Sequence, residues 1–339
     1  MAQGHSGRSH PATGMTLCRR AVLGSTAALA VAPRLARAQA WPDHPIRLIV
    51  PYAPGGSTDT SARIVAERLT AALGQQVVVE NKPGGGTIIG TDVVAKAKPD
   101  GYTILLTPGA FVVNAAFGIT LPYDSGTDLV PIVHIVDMPT LIAANNEAPY
   151  KSLPEMVAWS KEGAGRLVPF ASAGIGSVPH LWGEYLKART GARLEHVGYK
   201  GSAEALRDTL AGHVPLLVDA LMPTATPVRA GKLRGIAVAM AKRSSLLPDV
   251  PTTSESGLPD MEAAVHFGIS APGGTPAELV AKLNASINAV LSDAAIRRRM
   301  EELGFIMGGG SPRAYAETLR TEIAKWRTVI KDANIPPPS

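Results

Sequence analysis

The sequence predicts an α/β fold built from mostly parallel sheets with helices on both faces. Three observations carry this. Apolar, β-branched runs of five or six residues alternate with helix-length segments, the pattern of βαβ units. Glycine closes several of the helix-length segments, as at Gly74, Gly191 and Gly212. A middle block beginning near Ile142 has strands and helices of its own, so a second sheet is expected there. Right-handed crossovers place the helices on both faces of each sheet.

Taken in order, Ile46–Pro51 reads as a buried strand and Ser57–Leu73 as an amphipathic helix stopped by Gly74. Gln76–Glu80 is a second strand and Thr87–Lys98 a second helix; Pro99-Asp-Gly101 turns the chain into the strand Tyr102–Thr107. In the middle block, Ser152-Leu-Pro-Glu155 has the spacing of a capping box and opens a helix to Lys161. Strands are expected at Leu167–Ala171, Leu194–Val197, Val214–Asp219 and Leu233–Ala239, with helices at Val178–Arg189 and Ser202–Ala211. The C-terminal part is helical over Pro276–Leu291, Ala294–Leu303 and Pro312–Ile330, and Ile335–Ser339 reads as a disordered tail. No low-complexity linker interrupts residues 41–330, so ordered crossing strands are expected to join the two blocks.

Charge removes one class of function. The chain carries 33 basic and 28 acidic residues, a formal charge of +5. Five of the basic residues, Arg8, Arg19, Arg20, Arg34 and Arg37, lie in the first forty residues, which contain no acidic residue. The remainder is balanced, so the basic pI is no argument for nucleic-acid binding. Those forty residues read as a secretion leader. Arg19-Arg20 precedes an apolar run, Ala21 to Ala32, too short to span a bilayer, and Ala38-Gln39-Ala40 is a small-x-small cleavage site. Thr16 to Leu23 resembles a twin-arginine signal, with Met15 an alternative start, and the expected location is periplasmic. The single cysteine, Cys18, lies in the leader, which leaves residues 41–339 without disulfides, thiol chemistry or Cys-ligated metal.

Two loops carry the functional signal. Ile49 to Arg63 runs from an apolar strand through Pro54-Gly55-Gly56 into Ser57-Thr58-Asp59 at a helix start. Such a turn presents unpaired N–H groups to an anion, in line with the helix dipole. Ser172-Ala173-Gly174-Ile175-Gly176-Ser177 has the same chemistry. Two anion-seeking loops with no nucleophile between them point to a receptor for a small carboxylate. Asp59, in the first helical turn, has a capping role as its simpler reading. Asp219 ends a strand at the edge where open α/β sheets bind ligands, and an amine or hydroxyl would be its partner.

Several sequence blocks, in order and spacing, resemble the Bug family of periplasmic solute receptors that serve tripartite tricarboxylate transporters. They include Trp41-Pro-Asp-His-Pro-Ile46, Val50-Pro-Tyr-Ala-Pro-Gly-Gly56, Val79-Glu-Asn-Lys-Pro-Gly-Gly85, Pro99-Asp-Gly-Tyr-Thr103, Leu121-Pro-Tyr-Asp124, Ser172-x-Gly-x-Gly-Ser177, Tyr199-Lys-Gly-Ser202 and Leu247-Pro-Asp-Val-Pro-Thr252. The resemblance implies two lobes of periplasmic-binding-protein type, residues 41–141 with 265–339 and residues 142–264, closing on a ligand. It implies a carboxylate (dicarboxylate, tricarboxylate, amino acid or aromatic acid) held by the loops Tyr52 to Asp59 and Ser172 to Ser177. Membrane transporter subunits are the implied partners. The chain departs from the family pattern at Gly198, where proline is usual, and at His266-Phe267, where tryptophan is usual.

Rival readings are weaker. Ser177 and His180 share a helix face, which allows a secreted hydrolase, but no G-x-S-x-G elbow is present and no acid orienting His180 can be named. His180 with Glu184 has metal-ligand spacing without a third ligand. Gly84 to Gly90 and Gly174 to Pro179 lack nucleotide-binding spacing. No catalytic residue, cofactor or metal is expected, and a sensor receptor is the remaining alternative.

Overall fold

The computed structural model describes residues 41–163 and 166–337, together with Gly7, Ser9 and His10. The leader, Cys18 and the cleavage site after Ala40 otherwise lie outside the described residues, as do the last two residues of the expected tail.

Two parallel trios form the frame. In the first, β1 (Ile46–Val50) is flanked by β2 (Val77–Asn81) and β3 (Thr103–Thr107), both parallel to it. In the second, β5 (Val168–Ser172) is flanked in parallel by β6 (Leu194–Gly198) and β7 (Leu216–Ala220). The long strand β4 (Leu129–Asn145) joins them. Over Leu129–Pro139 it pairs antiparallel with β9 (Ala264–Pro272), which in turn pairs antiparallel with β3. From Thr140 onward it pairs antiparallel with β7 and with β8 (Leu233–Val238). The short β10 (Ile306–Met307) lies against Val136 and Asp137. β4 alone among these strands pairs in both sheets, where crossing strands were expected, and antiparallel strands extend each parallel trio.

The partner exchange on β4 follows Pro139. At the next residue, Thr140 N donates to Ala263 O (3.1 Å) and Thr140 O accepts from Ala239 N (2.9 Å), while Ala263 N donates to Ala239 O (2.9 Å). Three segments are tied at one buried residue.

The helices follow their end signals closely. α1 (Ser57–Leu73) stops at Gly74 in the left-handed region, whose N–H bonds Thr70 O. α2 (Ile88–Ala95) starts one residue later than expected, because Gly85–Thr87 forms a 3₁₀ turn and Thr87 takes φ 78°, and it ends three residues earlier, in a tight turn where Ala97 N bonds Val94 O. α3 (Gly109–Phe117) follows β3. α4 (Leu153–Lys161) is capped by Ser152, but Glu155 reaches back to Lys151 N rather than to the cap residue. α5 (Val178–Thr190) is capped by Ser177 and closed by Gly191; α6 (Ser202–Leu210) and α7 (Leu221–Arg229) follow β6 and β7. α8 (Ala277–Ser292), α9 (Ala294–Glu302) and α10 (Pro312–Asp332) complete the chain. The expected tail is corrected in part: Ile335 is buried and its N–H bonds Ile330 O. An apolar side chain at that position docks on the core, while Pro336 and Pro337 stay exposed.

One core contact has a testable sign. Gly183 lies inside α5, and a Cβ there would come within 2.3 Å of the Phe170 ring, which is fully buried. Helix propensity favours alanine over glycine by about 1 kcal/mol. Overpacking a closed core costs about 1–3 kcal/mol. Gly183→Ala is expected to lower stability in urea unfolding, opposite to the propensity; an unchanged or raised midpoint would show that Phe170 moves freely.

Candidate functional site

The first loop leaves the C-terminal end of β1 and enters α1 without a capping side chain: the N-cap is Gly56, and no side chain accepts from the first turn. The first intrahelical bond is Thr60 N to Gly56 O (2.9 Å), so the amides of Ser57, Thr58 and Asp59 have neither a helix partner nor a side-chain cap. Thr58 and Asp59 are nevertheless buried. By contrast α4, α5, α9 and α10 each begin with a serine or aspartate cap.

Asp59 has a bracing role here. Its Oδ2 accepts from Gly55 N (3.0 Å) and Arg63 Nε (2.9 Å), and its Oδ1 accepts from Asn81 Nδ2 (2.9 Å). Asn81 Nδ2 also donates to Tyr52 O (3.0 Å). Burial opposes the charge, but the donors from Arg63, Gly55 and Asn81 outweigh it and hold the carboxyl below its usual range. The Gly55 N–H is consumed in this brace. Gly55 itself takes φ 93°, which favours glycine.

The second loop is braced by histidines. Ser172 Oγ lies 2.7 Å from His196 Nε2, and Gly176 N donates to His180 Nδ1 (3.2 Å). Ser177 Oγ donates to Gly174 O (2.7 Å) and accepts from His180 N (3.3 Å), so it caps α5. The two imidazoles of His180 and His196 lie against each other, tilted by 34° with centroids 4.0 Å apart. Burial lowers both; with the neighbouring His180 and Lys187 it takes His196 down to about 3. Neutral rings of this kind are loop supports. Ser177 is committed to a carbonyl and a helix cap, and His180 Nδ1 to a backbone amide, so the two do not form a nucleophile–base pair. His180 braces the loop through Gly176. His196 was not legible as a partner of Ser172, since only the β5–β6 register, with Phe170 opposite His196, brings it there.

Asp219 lies at the C-terminal end of β7 and is 1% exposed. Its Oδ1 accepts from Ser202 Oγ (3.0 Å) and Ala220 N (2.8 Å), while its Oδ2 is buried with no partner among the described residues. Burial raises its pKa to about 6. Tyr52 feels this charge: burial first, then Asp219, pushes its hydroxyl above the ordinary value. Tyr52 follows β1 and Asp219 is the penultimate residue of β7, so this influence runs from one parallel trio to the other. A second approach joins the same regions, since a Cβ on Gly109 at the start of α3 would lie 3.5 Å from Val178 Cγ2 at the start of α5. No hydrogen bond links residues 52–59 directly to residues 172–177 among the described residues. A separate groove of about 460 Å³ between α3, β4 and α10 shares no residue with either loop.

Comparison with known proteins agrees with this arrangement. The family profile described as "tripartite tricarboxylate transporter family receptor" matches residues 61–335. The protein BugT of Bordetella pertussis strain Tohama I is 35% identical over 314 residues, 92% of this chain and 96% of BugT. Among solved structures, an R. palustris protein with adipate is 36% identical with a TM-score of 0.83, covering 88% of this chain and 100% of that one. MatC from Rhodopseudomonas palustris with bound malate is 31% identical with a TM-score of 0.78, covering 86% and 100%.

The unpaired Asp219 oxygen has a measurable consequence. Its folded pKa of about 6 lies above the ordinary value of 3.8, so the folded state holds the proton more tightly. The stability this contributes is present below pH 4 and is lost as pH rises through 6. The difference amounts to at most about 3 kcal/mol. Asp219→Asn, which stays neutral, is expected to gain on the wild type in urea unfolding between pH 4 and pH 7; a constant difference between the two would show that Asp219 is solvated or paired.

Proposed function

The chain belongs to the tripartite tricarboxylate transporter receptor family, and from that premise we propose that it captures a small carboxylate between its two sheets and hands it to membrane transporter subunits. The fold is the two-lobed periplasmic-binding-protein type, and the family is one of solute-binding receptors. The observation that carries the proposal is the buried start of α1, whose amides lack both a capping side chain and a helix partner. A carboxylate satisfies such donors, and hydrogen bonds to a charged group contribute about 1.5–3 kcal/mol each. The helix dipole adds up to about 2 kcal/mol when the charge is partly buried.

On this reading, the amides of Ser57 and Thr58 at the start of α1 supply backbone donors, the loop of residues 172–177 closes on the ligand from the other side, and Asp219 Oδ2 faces the other end of the ligand. A buried acceptor without a donor favours a ligand carrying a hydroxyl or ammonium group. When protonated, Asp219 becomes a donor and suits a second carboxylate. The relatives solved with malate and with adipate represent these two ligand types. The lobes are residues 41–141 with 265–339 and residues 142–264, supported by the exchange of β4 partners between Pro139 and Thr140. Ligand bridging both lobes favours closure by its differential affinity. The protein acts in the periplasm after removal of residues 1–40.

A thermal-shift series on residues 41–339 tests this, with mono-, di- and tricarboxylates, amino acids and aromatic acids. A ligand at about a hundred times its Kd stabilises the folded state by about 2.7 kcal/mol, and the melting point rises accordingly. One acid class is expected to shift the wild type, and Ser57→Trp, at a half-buried position, is expected to abolish the shift while the unliganded protein still melts cooperatively. A full shift retained by Ser57→Trp, or no acid that binds after release of co-purified ligand by denaturation, would overturn the proposal.

A further inference from the structure

Outside the two loops, the described residues hold one cluster with the composition of a transition-metal site. His134 and Asp137 lie on β4, and His266 lies on β9 directly opposite Asp137 in the antiparallel register. In a regular strand, residues three apart point to opposite faces. The register slips between His134 and Val136, and this bulge turns His134 and Asp137 to the same face. Asp137 Oδ1 lies 2.6 Å from His134 Nε2 and 2.5 Å from His266 Nδ1. The three donor atoms all lie within 4.8 Å of one another.

We propose that His134, Asp137 and His266 form a binding site for one divalent transition-metal ion. Two imidazoles and a carboxylate suit zinc, copper or nickel rather than calcium or magnesium, which prefer all-oxygen shells. Bonds of about 2.0–2.2 Å at tetrahedral angles place ligand atoms about 3.3 Å apart, which these side chains reach by small rotations. The surroundings supply what such a site needs. His266 Nε2 faces Glu322 Oε2 at 3.3 Å, so its N–H is directed outward and Nδ1 is left for the ion, the carboxylate–histidine–metal arrangement. Glu322 is itself held by Trp326 Nε1 (3.1 Å) and Lys325 Nζ (3.5 Å). Tyr315 stacks on His134 with centroids 5.9 Å apart. The ligand side chains are 15–23% exposed, enough to admit an ion and to leave a water in the fourth position.

The site lies a few residues from the exchange point on β4. An ion there would tie β4 to β9 and, through Glu322, to α10. This inference does not depend on the ligand proposed for the loops. Its rival is a proton: burial opposes charge on His266, but Asp137 and Glu322 raise its pKa to about 9, so the network also closes as an ion pair.

The test is equilibrium dialysis of residues 41–339, prepared without a histidine tag, against zinc, with bound metal counted by mass spectrometry. The expected result is one zinc per chain and a melting point raised by zinc and restored by a chelator. His134→Gln keeps the His266–Asp137–Glu322 pairing, so it is expected to fold as the wild type while binding at least tenfold more weakly. Glu322→Gln is expected to weaken binding about 10–100-fold. Less than a tenth of an equivalent bound at saturating zinc, or an unchanged affinity in His134→Gln, would overturn the proposal. Zinc lost only in His196→Gln would place the ion at the other histidine pair and overturn it equally.

Discussion

One strand belongs to two sheets, and the rest of the molecule is arranged around it. β4 gives its first eleven residues to the β3–β9 side and the remainder to β7 and β8. The first ladder runs to Pro139, and Thr140 begins the second while tied by its own backbone to Ala239 and Ala263. Because a sheet side chain changes face with every residue, a slip on one side of Thr140 would turn the other side inside out. The bulges on β4 are therefore constrained features, and one of them builds the His134–Asp137 pair. On the proposed reading, closure of the two lobes would be absorbed by the few residues around 139–140 and 263–264, where the strand changes partners.

The same strand sets what the loops do. Each parallel trio directs its carboxyl ends into loops and helix starts, the edge where α/β sheets bind ligands. Two buried aspartates at those ends show how environment divides their roles. Asp59 meets donors on both oxygens and stays ionised as a structural brace. Asp219 meets donors on one oxygen only, so burial dominates and its proton is held up to about pH 6. Residue type is identical, and the number of donors decides the sign of the shift.

Most of the frame was legible because its signals are local. Glycine stops at Gly74 and Gly191, the serine cap at Ser152, and the short apolar runs of both trios match the structure within a residue or two. What escaped was non-local or disguised. Pro131, Pro139, His134 and Asp137 interrupt β4 so that it does not read as a strand, although its length makes it the spine. Pro223 and Pro227 hide α7, and α3 is apolar on nearly every face, so neither shows an amphipathic repeat. At the site, the loops and Asp219 were readable from turn chemistry and strand ends. The bracing of Asp59 by Asn81, of Ser172 by His196 and of Asp219 by Ser202 was not, because each partner comes from a different element.

Selectivity follows from the same division on the proposed reading. Backbone amides at a helix start accept any carboxylate, so the first loop contributes affinity with little discrimination. Discrimination then falls to the opposite end, where Asp219 Oδ2 has no donor of its own. A ligand that brings one relieves a buried, unpaired acceptor, and one that brings only methylenes leaves it unrelieved; the difference is about 1–3 kcal/mol, about tenfold to a hundredfold in affinity. A pKa near 6 makes that preference reversible within an ordinary environmental range, because the protonated carboxyl donates where the ionised one accepts. The two sheets need not change for this to happen, since one proton on one side chain alters which acids complete the site.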